Sequence, residues 1–231
     1  MKAQRIRFRY GLHAEACDLN QRELVTSWEE ACRAAGLPLA LSEGRRPSSQ
    51  VSIAAPLPRG VTSGCELVDI FFAEPASPED AVSRIAPHLS TGIVVCSAEE
   101  IGPNVPSLQS QVRWAEYEVT VNGIDVPAVR QSISSTLEAR SLPSEYRREK
   151  KVREYDLRPL IIDLHLLAEP DGRAVLVMRL RAEPERTARA DQVADALKLP
   201  EDRQIHRTRL VLYDVPAVVS AHRRTSERDE D

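Results

Sequence analysis

The same order of predicted secondary-structure elements occurs twice along this chain, and this repetition constrains the fold more than any other feature. Residues 4–10 alternate arginine with apolar side chains, as a half-buried strand does. Leu24 and Trp28 then recur at helical spacing behind Asn20 and Glu23, a pair typical of a capping box. The remaining elements of this half are predicted strands at 51–55, 66–72 and 92–98 and a helix that Ser77 caps. The first half therefore predicts the order βαββαβ.

The second half repeats this order. Residues 115–121 alternate in the manner of a strand, and Asp125 caps a helix with apolar residues at Val129 and Ile133. The half is completed by predicted strands at 160–168, 174–182 and 207–214 and by a short helix at 190–197. Because independent misassignments rarely reproduce one order, the sequence predicts an α+β fold of two tandem ferredoxin-like units, each a four-stranded antiparallel sheet backed by two helices.

The repeat also sets the expected domain boundaries. The first unit spans 1–105, and the second spans 106–220 with a basic insertion at 143–158. Residues 221–231 contain almost no apolar side chain, so we expect a disordered tail there.

The composition predicts a cytoplasmic protein without a metal or redox cofactor. No apolar run approaches the roughly 20 residues that span a bilayer, and the N-terminus does not have the core of a signal peptide. The four cysteines lie too far apart for a CxxC pair, which would hold zinc or an iron–sulfur cluster. Glycine-rich nucleotide-binding motifs and common hydrolase motifs are absent from the sequence.

The net charge of −4 conceals blocks of opposite sign. Residues 61–139 contain three basic and eleven acidic side chains, whereas the inserted segment contains Arg147, Arg148, Lys150, Lys151 and Arg153. Such a basic block either binds phosphates or is a solvated loop.

Five segments carry a family resemblance: AAGLPLALSEG at 34–44, APLPRGV at 55–61, ELVD at 66–69, DLRPLI at 156–161 and HRT at 206–208. Together they resemble the radical-SAM-linked domain of unknown function found in many bacteria. The resemblance implies an accessory protein that acts with a radical SAM partner, which itself carries the iron–sulfur cluster. The chain has Gln21-Arg22-Glu23 where many members have His-Leu-Asp, so an acid–base role for that histidine is not carried over.

Two loops are predicted to bind RNA phosphates or other anions. The loop 42–50 contains Ser42, Arg45 and Arg46 beside a flexible glycine, and guanidinium groups match phosphate geometry. The alternative is an ordinary polar loop between a helix and a strand. In the inserted segment, the predicted contacts are Arg147, Arg148, Lys150 and Lys151.

Five further residues are candidates for ligand binding or for structural ion pairs. Arg158, His206 and Arg207 stand at the entrances of predicted strands and are candidate RNA or anion contacts. A salt bridge between the two halves is the alternative for Arg158, and a structural role is the alternative for His206. Glu66 and Asp69 should project to opposite faces of one strand, so we expect one of them to bind an arginine such as Arg158. The sequence indicates no catalytic residue.

Three functions are consistent with these features. The favoured hypothesis is a non-catalytic accessory or substrate-recognition protein that binds RNA for a radical SAM enzyme. The first alternative is a metal-independent RNA-processing or RNA-modifying enzyme, by analogy of fold. The second alternative is a protein–protein adaptor that uses the acidic block. RNA-binding sheets often present stacking aromatic side chains, and this chain has only three Phe, two Trp and five Tyr.

Overall fold

The computed structural model describes residues 3–45, 47–148, 151–168 and 173–213. The tail 221–231, Arg46 and Lys150 lie outside the described residues, as do the side chains of Arg147, Arg148 and Lys151. The elements of the first half are β1 (Gln4–Leu12), α1 (Gln21–Ala34), β2 (Val51–Ile53), β3 (Thr62–Phe72), α2 (Pro78–Ile85) and β4 (Ile93–Glu100).

Local sequence signals explain where the two helices of the first half begin. The Asn20 side chain accepts hydrogen bonds from the backbone of Arg22 and Glu23, and the Glu23 carboxylate accepts one from the backbone of Asn20. Ser77 caps α2 and Pro78 occupies its first turn. The capping box and the Ser77 cap are therefore confirmed.

The second half contains the elements α3 (Leu108–Gln111), β5 (Val112–Asn122), α4 (Val126–Glu138), β6 (Pro143–Arg148), β7 (Lys151–Asp156), β8 (Ile161–Ala168), β9 (Arg173–Glu183), β10 (Arg186–Thr187), α5 (Ala190–Ala196) and β11 (Gln204–Leu212). The Asp125 side chain caps α4 as expected. Among the described residues, no helix is both long and apolar enough to cross a membrane.

All the described strands except β6 and β7 form one large, mostly antiparallel sheet, whereas the sequence predicts two separate four-stranded sheets. In the first half the order is β4-β1-β3-β2, and in the second half it is β8-β9-β5-β11. The halves join where β11 runs parallel to β3, with His206 opposite Thr62 and Arg207 opposite Ser63. β2 covers this side of β3 only at residues 68–70, so the beginning of β3 is left free to pair with β11.

The basic insertion is a β-hairpin and not the loop that the charge pattern suggested. β6 and β7 pair antiparallel from Pro143 opposite Asp156 to Arg148 opposite Lys151, and they form a separate two-stranded sheet. Backbone N–H and C=O groups form the ladder of hydrogen bonds between two strands, so basic residues can also take part in such a pair. A run of basic residues lacks the alternation of apolar and polar side chains that predicts a strand, so the sequence did not indicate β6 and β7.

Each half has its own core, and the core of the second half reaches into the first. Trp28 of α1 is fully buried against Phe8 and Tyr10, with ring centroids 5.4 and 5.3 Å away. The core of the second half includes Ala55 and Leu67 from the first half. Apolar contacts as well as strand pairing therefore hold the halves together.

Candidate functional site

A cleft of about 850 Å³ opens between the two halves. The first half contributes Gln21 at the start of α1, Ile53 at the end of β2 and the segment 54–58 that follows β2. The second half contributes Tyr155, Leu160 and residues around β10 and the start of α5. Two segments that carry the family resemblance, 55–61 and 156–161, are about 100 positions apart and meet in this cleft.

Arg207 and Glu66 form a buried ion pair that contacts the lining of the cleft. The Nε of Arg207 donates to Oε1 of Glu66 at 2.7 Å, and Nη2 donates to the Ala55 carbonyl, part of the cleft lining, at 3.0 Å. Nη1 donates to the Tyr117 hydroxyl at 3.3 Å. Only 1% of Arg207 is exposed, so the residue predicted as an anion contact is a structural link between the halves.

The electrostatics of this pair keep Arg207 charged. Burial alone lowers the pKa of Arg207, but the Glu66 carboxylate and the Tyr117 hydroxyl raise it by more. Burial also raises the pKa of Tyr10, which lies close enough to Glu66 for the carboxylate to add to the shift. The Tyr10 hydroxyl has no hydrogen-bond partner among the described residues.

Asp69 forms a second buried cluster, with arginines of β1. Arg5 donates through Nε at 2.7 Å and Arg7 through Nε at 2.8 Å. Arg5 also donates to the carbonyls of Val105 and Pro106, so this cluster fixes the segment that connects the halves. Asp69 and Glu66 thus bind different arginines.

The expected pairing of either carboxylate with Arg158 does not occur. Arg158 donates instead to the carbonyl of Leu137 at 2.7 and 3.1 Å and to that of Ile161 at 2.9 Å. Leu137 lies in the last turn of α4, where carbonyls lack a partner within the helix. The guanidinium therefore satisfies a helix end, and it needs no carboxylate.

The β6–β7 hairpin is attached beside the cleft. The Tyr155 hydroxyl donates to Oε1 of Gln192 in α5, and Nε2 of Gln192 donates to the Glu145 carbonyl at 3.3 Å. At the base of the hairpin, Oδ1 of Asp156 accepts from the backbone of Leu142 at 2.7 Å and of Arg158 at 3.0 Å. The hydrogen bond from Leu142 is the main cause that lowers the pKa of Asp156.

The other predicted basic loop lies away from the cleft. Ser42 and Ser48 close this loop through their backbone and hydroxyl groups, and Arg45 is exposed. Ser42 and Arg45 follow the C-terminal end of α1, whereas Gln21 at its N-terminal end lines the cleft. A helix of 14 residues separates its ends by about 20 Å. None of the described residues of this loop lines the cleft.

His206 is half-buried where β11 meets β3. Its Nδ1 lies 2.8 Å from Oγ1 of Thr62, the residue opposite it in the parallel pair. This hydrogen bond contributes to the junction between the halves. Among the described residues, no cluster of three or more His, Cys, Asp or Glu could hold a metal ion.

Sequence reasoning missed several polar residues in the cleft, among them Tyr155, Arg186, Arg189 and Gln192. Arg189 is paired with Asp191 through two hydrogen bonds of 3.0 and 2.7 Å. Arg186 is exposed on β10 and forms no hydrogen bond or ion pair with a described residue. One signal was present in the sequence, because Tyr155 directly precedes the DLRPLI segment.

Residues 5–190 match the family described as "Uncharacterized protein conserved in bacteria (DUF2344)", and the chain belongs to this family. The curated proteins contain no match. Among solved structures, a chain in the crystal structure of a Cbf5-Nop10-Gar1 complex is similar with a TM-score of 0.45 and 8% identity over 88% of this chain. This chain spans about half, 49%, of the length of that one. The link to a radical SAM protein stays a prediction.

Proposed function

We propose that this protein is a non-catalytic recognition module that binds RNA with the cleft and the β6–β7 hairpin. The observation that carries the proposal is the attachment of the basic hairpin at the rim of the cleft, through Tyr155 and Gln192. A polyanion held by the hairpin would therefore lie next to the cleft.

The charge of the hairpin supports a polyanionic ligand. Residues 146–153 contain five Lys or Arg and one Glu, in a chain whose net charge is −4. Contacts of Lys and Arg with phosphates release counterions, and this release supplies much of the affinity for nucleic acids. Arg186, which forms no hydrogen bond or ion pair with a described residue, adds an exposed cation to the lining of the cleft.

We also infer that each half is a ferredoxin-like unit. The strand orders β4-β1-β3-β2 and β8-β9-β5-β11 support this interpretation, since each places the first and third strands of a βαββαβ unit at its centre. Two such units joined edge to edge form a cleft at their junction, which neither unit has alone.

The resemblance of the sequence to radical-SAM-linked proteins supports a role as the accessory partner of such an enzyme in the cytoplasm. In this arrangement the enzyme performs the chemistry and this chain holds the RNA. Affinity purification of the tagged chain from a bacterium that encodes both tests the partnership. Recovery of the radical SAM protein is expected, and its absence in cross-linked extracts contradicts this part of the proposal.

Fluorescence anisotropy with labelled RNA tests the binding. We expect Arg147→Glu with Arg148→Glu to weaken binding and to reduce the slope of log K against log salt by about 1.4, or about 0.7 for each lost contact with single-stranded RNA. The matched control is Arg33→Glu with Arg130→Glu, which makes the same change in net charge at exposed positions outside the cleft.

Equal losses in the hairpin and control variants would contradict a specific role of the hairpin. The length of the RNA after incubation is the second measurement. We expect the RNA to remain intact with this chain alone, whereas cleavage would favour the alternative of an RNA-processing enzyme.

A further inference from the structure

We infer that the cleft binds one unpaired nucleotide, with its base against the ring of Tyr155 and its phosphate near Arg186. This inference rests on the proposed RNA-binding function and adds the chemical class of the ligand inside the cleft. It predicts that the ring of Tyr155 contacts the base directly.

The lining of the cleft suits a flat, weakly polar group. Besides Gln21, the lining residues on the side of the first half are Ile53, Ala54, Ala55, Pro56, Leu57 and Pro58, and none of these six side chains can form a hydrogen bond. Leu160 and Ala182 extend this apolar surface into the second half. A volume of about 850 Å³ lies within the range of small-molecule pockets, so a nucleotide fits.

Tyr155 is held in position before any ligand binds. Its hydroxyl donates to Gln192, Gln192 in turn donates to the Glu145 carbonyl, and the half-buried ring packs against the core of the second half. Little conformational entropy remains to be lost when a base stacks on such a ring. Unpaired bases in protein–RNA complexes commonly stack on aromatic side chains.

The charged residues that line the cleft are Asp156, Glu185, Arg186 and Arg189, and Arg186 is the cation that we assign to an anionic end of the ligand. Arg189 is paired with Asp191, whereas the exposed side chain of Arg186 forms no hydrogen bond or ion pair with a described residue. A ligand with an apolar, planar part and a phosphate satisfies both the apolar lining and Arg186. A base within a duplex is stacked between its neighbours and cannot reach Tyr155, so the nucleotide must be unpaired.

Binding of a labelled oligouridylate of about 10 nucleotides to matched variants tests the inference. Tyr155→Leu removes the ring, and we expect it to weaken binding by about tenfold, because stacking of one base contributes about 1–3 kcal/mol. Tyr155→Phe keeps the ring and loses only the hydrogen bond with Gln192, so its affinity should stay within about threefold. Arg186→Gln should lower the salt slope by about 0.7.

A second measurement on the unchanged protein does not depend on the folding of any variant. An oligomer with the same ribose-phosphate backbone but without bases should bind at least about tenfold more weakly than oligouridylate. Equal affinity for the two oligomers would overturn the inference, as would Tyr155→Leu with full affinity for oligouridylate. If the inference is overturned but Arg147→Glu with Arg148→Glu still weakens binding, the proposed RNA-binding function stands. If neither Tyr155→Leu nor this hairpin variant weakens binding, the proposed function is wrong as well.

Discussion

Two buried carboxylates of β3, Asp69 and Glu66, form ion pairs with different parts of the molecule. Asp69 binds Arg5 and Arg7 of the neighbouring strand β1, and Arg5 carries the contact on to the segment that connects the halves. Glu66 binds Arg207, which is 141 positions away in the other half.

The difference shows how a position along one strand decides the role of a charge. Asp69 lies where β3 is flanked by β1 and β2, inside the first half. Glu66 lies nearer the beginning of β3, next to the pairing with β11. Asp69 therefore stabilises the first half and the segment that connects it to the second half. Glu66 stabilises the junction between the halves and the part of the cleft that Ala55 lines.

The first way to break this comparison is Asp69→Ala, for which we expect the largest loss. Two guanidinium groups would remain buried without a carboxylate, and breaking one such pair already costs about 3–5 kcal/mol. We expect the free energy of unfolding, measured in urea, to fall by about 5 kcal/mol. The control is Asp80→Ala, which removes an exposed pair with Arg84 and should cost less than about 1 kcal/mol.

The second variant, Glu66→Ala, should cost about 3 kcal/mol because it strands one guanidinium instead of two. Arg207 also holds Ala55, so oligouridylate binding should weaken together with stability. The double variant Glu66→Met with Arg207→Met removes both charges and should regain much of the loss in stability. If the separate losses of Glu66→Met and Arg207→Met simply added in a double-mutant cycle, the ion pair would not be the source of the effect.

The sequence predicted the elements of this fold better than their assembly. The caps at Asn20, Ser77 and Asp125 could be recognised because a cap involves residues only a few positions apart. The pairing of β11 with β3 could not, since it depends on two residue pairs that are 144 positions apart in sequence.

The candidate site shows the same limit. The basic residues of the hairpin were recognised from composition, but not the strand pairing that places them beside the cleft. Arg207 was recognised as a notable residue and assigned to an anion, because its partner Glu66 is distant in sequence. Tyr155 was missed since one tyrosine carries no pattern of its own; only the fold places it against Gln192 and the cleft.

The smallest expected effect is a difference in the free energy of unfolding between variants of two buried tyrosines, Tyr117 and Tyr10, which lie beside the Glu66–Arg207 pair. The Tyr117 hydroxyl accepts a hydrogen bond from Arg207, whereas the Tyr10 hydroxyl is buried with no partner among the described residues. Tyr117→Phe leaves a charged N–H unpaired and should cost about 1 kcal/mol. Tyr10→Phe removes a hydroxyl that is desolvated without compensation, so it should be neutral or stabilise the fold by up to about 1 kcal/mol.

Both changes remove one oxygen atom from a side chain that is at most 4% exposed, so the size of the side chain is matched. Urea unfolding of the two variants gives the difference directly. Equal losses would mean that the hydrogen bond to Arg207 adds nothing beyond the packing of a phenol ring. A loss confined to Tyr117→Phe would establish that the second half supports the Glu66–Arg207 pair, and hence that the junction depends on both halves.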